Sequence, residues 1–224
     1  MENEVKIYEE EKVSRRKSEL KPTDHKTQNW YDEHDIKYFY QPELHKLLNG
    51  INDSYYMMAF LFIYEVGARV SEVLPIRFRD FDTTTGNIKV PVLKQRKKKI
   101  FKMVTVSDKM KAIILNHRIE NKLGENDFIL AKAPGKNPPN RSTFYRNFRK
   151  YVLSVLGAHF EDKAHPHTLR HSRAVHMLQS GVNIAHVKSM MAHKSIANTM
   201  IYLQYSNRDF TNAVQQANRE IGLE

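Results

Sequence analysis

Three features of the sequence predict a mainly α-helical domain with a small antiparallel β-sheet, an α+β fold. Phe144, Phe148, Tyr151, Val152 and Val155 recur at helical spacing between Ser142 and Leu156, with Gly157 ready to end the helix. The most apolar run, YYMMAFLFIYEVGA at 55–68, is interrupted by Glu65 and is shorter than the ~20 residues a membrane helix needs, so it reads as a buried core helix. Two β-rich runs, 88–93 and 100–106, flank the cationic stretch Lys94, Gln95, Arg96, Lys97, Lys98 and Lys99 and predict a strand pair with a basic tip.

The remaining elements follow in chain order. Residues 1–40 are charge-dense with few apolar residues, and they predict a partly flexible extension whose later aromatic residues pack on the domain or touch a ligand. From Gln41 the texture changes: Pro42 and Glu43 suit a first helical turn, Leu44, Leu47 and Leu48 share a face, and Gly50 stops the helix. A second helix is expected from Asp53 to Tyr64. A turn at Gly67 then leads into a short helix that carries Arg69 and ends before Pro75. Ser107 and Asp108 can cap a helix reaching about Arg118, and APGKNPPN at 133–140 is a loop. Short helices are expected over 168–179, 183–191 and 195–202. Residues 208–223 place Phe210, Ala213, Val214, Ala217 and Ile221 on one apolar helical stripe. The organisation predicted is an extension at 1–40, one domain at 41–206 and an amphipathic helix at 207–224.

Composition narrows the partners. Lys and Arg total 36 against 25 Asp and Glu, a net charge of +11, and the cations cluster in LKQRKKKIFK, so a polyanion is the expected partner. The absence of cysteine excludes disulfides, thiolate nucleophiles and zinc-thiolate sites from this sequence. The acidic start MENEVKIYEEEK is unlike a secretory signal, and with no membrane segment expected the reading is cytoplasmic.

The residues with chemical potential gather late in the chain. HPHTLRHSR carries His167 and Arg170, MMAHKSIANTMIYLQY carries His193 and Tyr202, and GARVSE contributes Arg69 from far upstream. Arginines present charged forks to phosphate oxygens, histidines hydrogen-bond or move protons, and a tyrosine hydroxyl can act as a nucleophile. Taken singly, each has a plainer reading. Arg69 could pair with Glu72 at i+3, Tyr205 rivals Tyr202, and His171 reads as a core or capping residue. His171 lies i+4 from His167, a spacing that can chelate a metal, but HExxH is absent and no metal or other cofactor is expected.

In order and spacing these segments resemble the tyrosine recombinases, the family of phage integrases and Xer-type enzymes. GARVSEV resembles the first-arginine motif, HTLRH the His-x-x-Arg motif, and MAHKSIANTMIY the motif that ends on the tyrosine. The resemblance runs from about Gln41 to Tyr202. Two departures stand out: Met191-Ala192 replaces the usual Leu-Gly, and no room for a core-binding domain is seen before Gln41.

The resemblance implies strand exchange on double-stranded DNA through a 3′-phosphotyrosine, by a homo-oligomer, dimer or tetramer, whose C-terminal helices dock in trans. It implies Tyr202 as nucleophile, Arg69 and Arg170 as phosphate clamps, His167 as the group receiving the tyrosine proton, His193 as a phosphate donor and Lys94 as acid for the leaving 5′ oxygen. Arg96, Lys97, Lys98 and Lys99 would contact DNA, and any of these lysines competes with Lys94 for the acid's role. A type IB topoisomerase-like relaxase and a non-catalytic DNA-binding protein are the alternatives.

Overall fold

In the computed structural model of the chain, residues 36–93 and 100–206 are described, together with 218, 219 and 222. The chain divides into two units, Met1–Ile36 and Lys37–Glu224, and the elements named here belong to the second. Lys94, Arg96, Lys97, Lys98 and Lys99, and nearly all of the predicted tail helix, lie outside the described residues.

Just ahead of the first helix, Phe39 is fully buried. Its N–H donates to Ser172 Oγ at 2.8 Å and its carbonyl lies 2.9 Å from His176 Nε2, so the domain's packing begins slightly before Gln41. Helix α1 (Gln41–Asn49) has Pro42 in its first turn, and Glu43 accepts the Tyr40 N–H at 2.8 Å. Helix α2 (Ser54–Val66) starts where Asp53 Oδ1 accepts the Tyr56 N–H at 3.2 Å, and runs a little past the expected Tyr64. It stops at Gly67, whose φ of +57° is left-handed. A Cβ there would also come within 2.7 Å of Met190 Cε, but that is the movable end of a flexible side chain, so the left-handed backbone is what favours glycine.

The short α3 (Val70–Val73) and a 3₁₀ turn (Phe78–Asp80) lead to β1 (Asn87–Val92), which pairs antiparallel with β2 (Ile100–Thr105). Then follow α4 (Asp108–Glu120), α5 (Arg141–Leu156), a second 3₁₀ segment (Ala158–Lys163), α6 (His167–Gln179) and α7 (Ile184–Met191). The helix expected over 195–202 is instead two short pieces, α8 (Ala197–Met200) and α9 (Leu203–Ser206). Around Tyr202 the backbone tightens into i to i+3 bonds, Tyr202 N–H to the Thr199 carbonyl and Tyr205 N–H to the Tyr202 carbonyl, which breaks the α-helical ladder.

Helix α2 is the hub. Being apolar on almost every side, it packs against α1, α3, α4 and α6. Phe60 meets Phe144 and Phe148 of α5 edge-on, with centroids 5.2 and 5.0 Å away, the face predicted for α5. Glu65, the charged break in that run, is only 8% exposed. It accepts the Ser107 N–H and Oγ–H, both at 2.7 Å, while Ser107 Oγ accepts the Met110 N–H and caps α4. The carboxylate therefore pins the start of α4 to the end of the core helix. Among the described residues no helix is long and apolar enough to cross a membrane.

Candidate active site

Four backbone devices bring the polar residues together. Arg69 is the N-cap residue of α3, set directly behind the Gly67 turn. Arg170 projects from the buried face of α6, Ala192 ends α7 and swings His193 inward, and the tight turn between α8 and α9 carries Tyr202.

Arg170 is 3% exposed and acts as a fastener. Its Nη1 donates to the Gly67 carbonyl at 2.8 Å and its Nη2 to the Met191 carbonyl at 2.6 Å, so one guanidinium ties the Arg69 turn to the His193 turn across α6. Glu72 is fully buried between the two arginines. It accepts the Arg69 N–H at 3.0 Å and Arg69 Nη1 at 2.8 Å, and its Oε2 lies 3.9 Å from Arg170 Nη1. Burial alone would raise the Glu72 carboxyl. The Arg69 N–H and the two guanidiniums outweigh it, so the group stays below its ordinary range and ionised. The i+3 pairing of Arg69 with Glu72 is thus real, and it orients the arginine within the cluster. Burial and the charge of Arg69 lower Arg170 to about 10, which leaves it charged at neutral pH.

His193 Nδ1 lies 2.9 Å from Thr199 Oγ1 and its Nε2 lies 3.4 Å from Arg170 Nη2. Its ring is stacked 6.3 Å from that of Tyr202, with the planes 8° apart. Ala192 adopts φ +50°, a left-handed conformation that costs an alanine roughly 1 kcal/mol, at the position where the resemblance expects glycine.

Tyr202 is 2% exposed, and its hydroxyl lies 2.8 Å from His171 Nδ1. Burial pushes the phenol up to about 12, against the pull of Arg170 and Arg69. Tyr205, the rival, sits edge-on to Tyr38 at 5.4 Å. His167 has a different neighbour: its Nδ1 lies 3.4 Å from Tyr145 Oη, which accepts from Arg141 Nη2 at 3.2 Å. Burial, His165 and the arginines lower His167 to about 4, so it is neutral at pH 7.

Arg69, Arg170, His193 and Tyr202 therefore converge, and His167 stands at the edge of the group. Two residues escaped the sequence reading. From sequence His171 reads as a core or capping residue, and its contact with Tyr202 is tertiary; its one local signal is the i+4 spacing from His167. Lys102 was passed over in favour of the tip lysines, yet the register Val90↔Lys102 puts it in the inward row with Val104. Its ammonium donates to the Met190 carbonyl, next to the carbonyl held by Arg170. Together they cap the C-terminus of α7 with positive charge.

Burial, reinforced by Arg170 and partly offset by Glu72, lowers Lys102 to about 7. Unfolding restores an ordinary lysine near 10.5. Between those two values the unfolded chain binds the extra proton, so the penalty for burying the ammonium is full below pH 7 and fades as pH rises. Thermal unfolding between pH 7 and 9.5 should therefore show the wild-type chain gaining stability relative to Lys102→Met. Parallel curves for the two proteins would mean that Lys102 titrates normally.

Among known proteins, the phage integrase family profile matches residues 37–209. The tyrosine recombinase of Pseudothermotoga lettingae is 30% identical over 180 residues, 80% of this chain and 59% of that protein. Tyrosine recombinase XerC of Chlamydia pneumoniae is 30% identical over 167 residues, 74% of this chain and 50% of that protein. The chain thus spans between half and three-fifths of the length of these relatives. Solved structures share the fold: XerA recombinase with a TM-score of 0.63 and 21% identity, covering 84% of this chain and 65% of that one. The catalytic domain of bacteriophage HP1 integrase matches with a TM-score of 0.58 and 21% identity, over 81% of this chain and 95% of that one. With the profile spanning most of the chain, on a domain of the same fold, the protein belongs to the phage integrase family.

Proposed function

We propose that the chain is a site-specific DNA recombinase that cuts and rejoins strands through a 3′-phosphotyrosine. The observation that carries this is the convergence of Arg69, Arg170, His193 and Tyr202 from segments far apart in sequence, with Arg69 oriented by Glu72 and Arg170 by the Gly67 and Met191 carbonyls. In this reading the guanidiniums and His193 stabilise the non-bridging phosphate oxygens as negative charge develops, and Tyr202 attacks the phosphorus. The 5′ oxygen leaves, and the ester bond energy is kept in the phosphotyrosine for rejoining. By resemblance His167 receives the tyrosine proton, and Arg96, Lys97, Lys98 and Lys99 hold the duplex. Lys94 is the leaving-group acid by resemblance. Lys102 is a second candidate, favoured by its place beside Arg170 and by a proton affinity near neutrality.

Similarity to tyrosine recombinases supports recombination over relaxation by a topoisomerase-like enzyme or simple DNA binding. The proposal extends to a dimer or tetramer on DNA in the cytoplasm, with the 207–224 helix docking on a neighbouring protomer.

The test is incubation with supercoiled and nicked DNA, denaturation, and mapping of covalent adducts to a tyrosine. Adducts are expected in excess EDTA and without nucleotide, because the guanidinium clamp supplies the charge that metal ions supply in many nucleases. Cleavage lost in chelator and restored by a divalent ion would overturn the mechanism. DNA binding should weaken steeply with salt as displaced counterions return to the phosphates.

A further inference from the structure

The nearest acceptor for the Tyr202 proton is a residue outside the expected catalytic set. The phenolic oxygen lies 2.8 Å from His171 Nδ1, while His167 is engaged with Tyr145. Tyr202 is 2% exposed, so bulk water has little access to its hydroxyl. His171 and Tyr202 approach from α6 and from the turn between α8 and α9, and their rings lie 5.7 Å apart. The contact therefore links the element that bears Arg170 to the segment that bears the tyrosine.

From this geometry we infer that His171 is a catalytic residue of the proposed reaction, the general base that takes the Tyr202 proton during attack and returns it when the strand is rejoined. The inference rests on Tyr202 being the nucleophile.

The Tyr202 Oη–H proton passes to His171 Nδ1 as the Oη–P bond forms. The P–O5′ bond breaks, and the leaving 5′ oxygen takes a proton from a hairpin lysine to become a hydroxyl. Rejoining reverses each transfer, with the 5′ hydroxyl as nucleophile and the His171 imidazolium protonating the departing phenol.

Electrostatics add a reason for the base to work only on bound DNA. The charged and titratable groups around His171 are His167 and Arg170 on its own helix, His165 just before that helix, and His193 and Tyr202 from the segments packed against it. Burial first, then His167, Arg170 and His193, lower His171 to about 4 in the free chain. The ring is neutral at pH 7 and can accept, but it accepts weakly. A phosphodiester seated against Arg69 and Arg170 brings a negative charge that offsets those cations and raises the proton affinity of the imidazole. Substrate binding thus makes the base stronger where it is needed.

The experiment compares the full-length wild-type chain, His171→Asn, His171→Gln and Tyr202→Phe on an end-labelled pool of nicked duplexes of random sequence, reading the initial rate of covalent adduct formation from pH 6 to 9.5. Asparagine keeps a hydrogen-bonding atom near the place of Nδ1 but takes no proton. The wild-type rate should not climb over this range: it stays nearly flat with Lys94 as the leaving-group acid and falls above about pH 7 with Lys102 in that role. The Asn and Gln variants should bind DNA normally yet form adducts about 100-fold more slowly at pH 7. Their deficit should shrink roughly tenfold per pH unit as a growing fraction of the phenol ionises without help from a base.

A variant rate within threefold of wild type at pH 7, or a loss of the same size at every pH, overturns the inference, since either leaves His171 a packing role only. If the variants fail to fold, the wild-type profile decides: a rate that climbs tenfold per unit up to pH 9.5 means that no base with a low proton affinity is at work. Adducts persisting in Tyr202→Phe would instead displace the nucleophile assignment and so mark a different failure.

Discussion

Tyr202→Phe is expected to abolish covalent attachment to DNA while leaving DNA binding within about twofold of wild type. The change removes one oxygen and keeps the ring, which fills a nearly closed space beside His193. The stability cost should be modest, about 1 kcal/mol, from losing the hydrogen bond to His171 in a partly buried setting. Tyr205→Phe should keep forming adducts, since that ring packs on Tyr38. Denaturing gels of protein with labelled nicked duplex separate the outcomes. If the two phenotypes were exchanged, the nucleophile would lie one turn later in the chain.

Arg170→Ala is expected to produce the largest combined loss. Its guanidinium satisfies the Gly67 and Met191 carbonyls and helps neutralise Glu72, all in a buried setting. Truncation strands both carbonyls and leaves the carboxylate with one cationic neighbour fewer, for a stability loss of about 3 kcal/mol. Strand cleavage should fall at least 100-fold beyond what the lost stability explains, since a transition-state donor is removed. Arg170→Lys separates the two effects. One ammonium restores the charge but cannot reproduce the fork that spans two carbonyls and still faces a phosphate, so DNA binding should persist with cleavage strongly reduced. Denaturant midpoints read the first effect and adduct rates on the folded fraction read the second. Wild-type cleavage in folded Arg170→Ala would remove Arg170 from the clamp.

Much of the fold was legible because local patterns and tertiary burial agree. The face of Phe144, Phe148 and Tyr151 on α5 is the face that packs on Phe60, Ser107 caps the helix expected there, and the helices expected from Asp53 and Asn183 start one residue later with those side chains as caps. The segment from Ser195 to Tyr202 misled, because its composition suits a continuous helix while the i to i+3 bonds that split it are set by how Tyr202 and Thr199 are buried. The site was legible as a set of residue types in order. Which groups touch was not. That Glu72 serves both arginines, that His171 rather than His167 meets the phenol, and that Lys102 reaches the end of α7 are contacts between segments distant in sequence, and no local period encodes them. Lys102 shares its row of β2 with Ile100 and Val104, but the opposite row carries Phe101 and Met103, so polarity along the strand does not tell which row faces inward.

Glu72 carries one more consequence. Two guanidiniums confined to one pocket repel each other, and in a free protein they would tend to swing toward solvent and be gathered again by each incoming phosphate. With a buried carboxylate accepting from Arg69 and facing Arg170, the pair is held in place before any DNA arrives. The clamp is preorganised: the entropy of fixing long, flexible side chains is lost once, when the domain folds, rather than at every catalytic cycle. Binding energy from the duplex can then go into aligning the scissile bond. In the proposed reaction, a buried glutamate would thereby set how much of the affinity for DNA reaches the transition state.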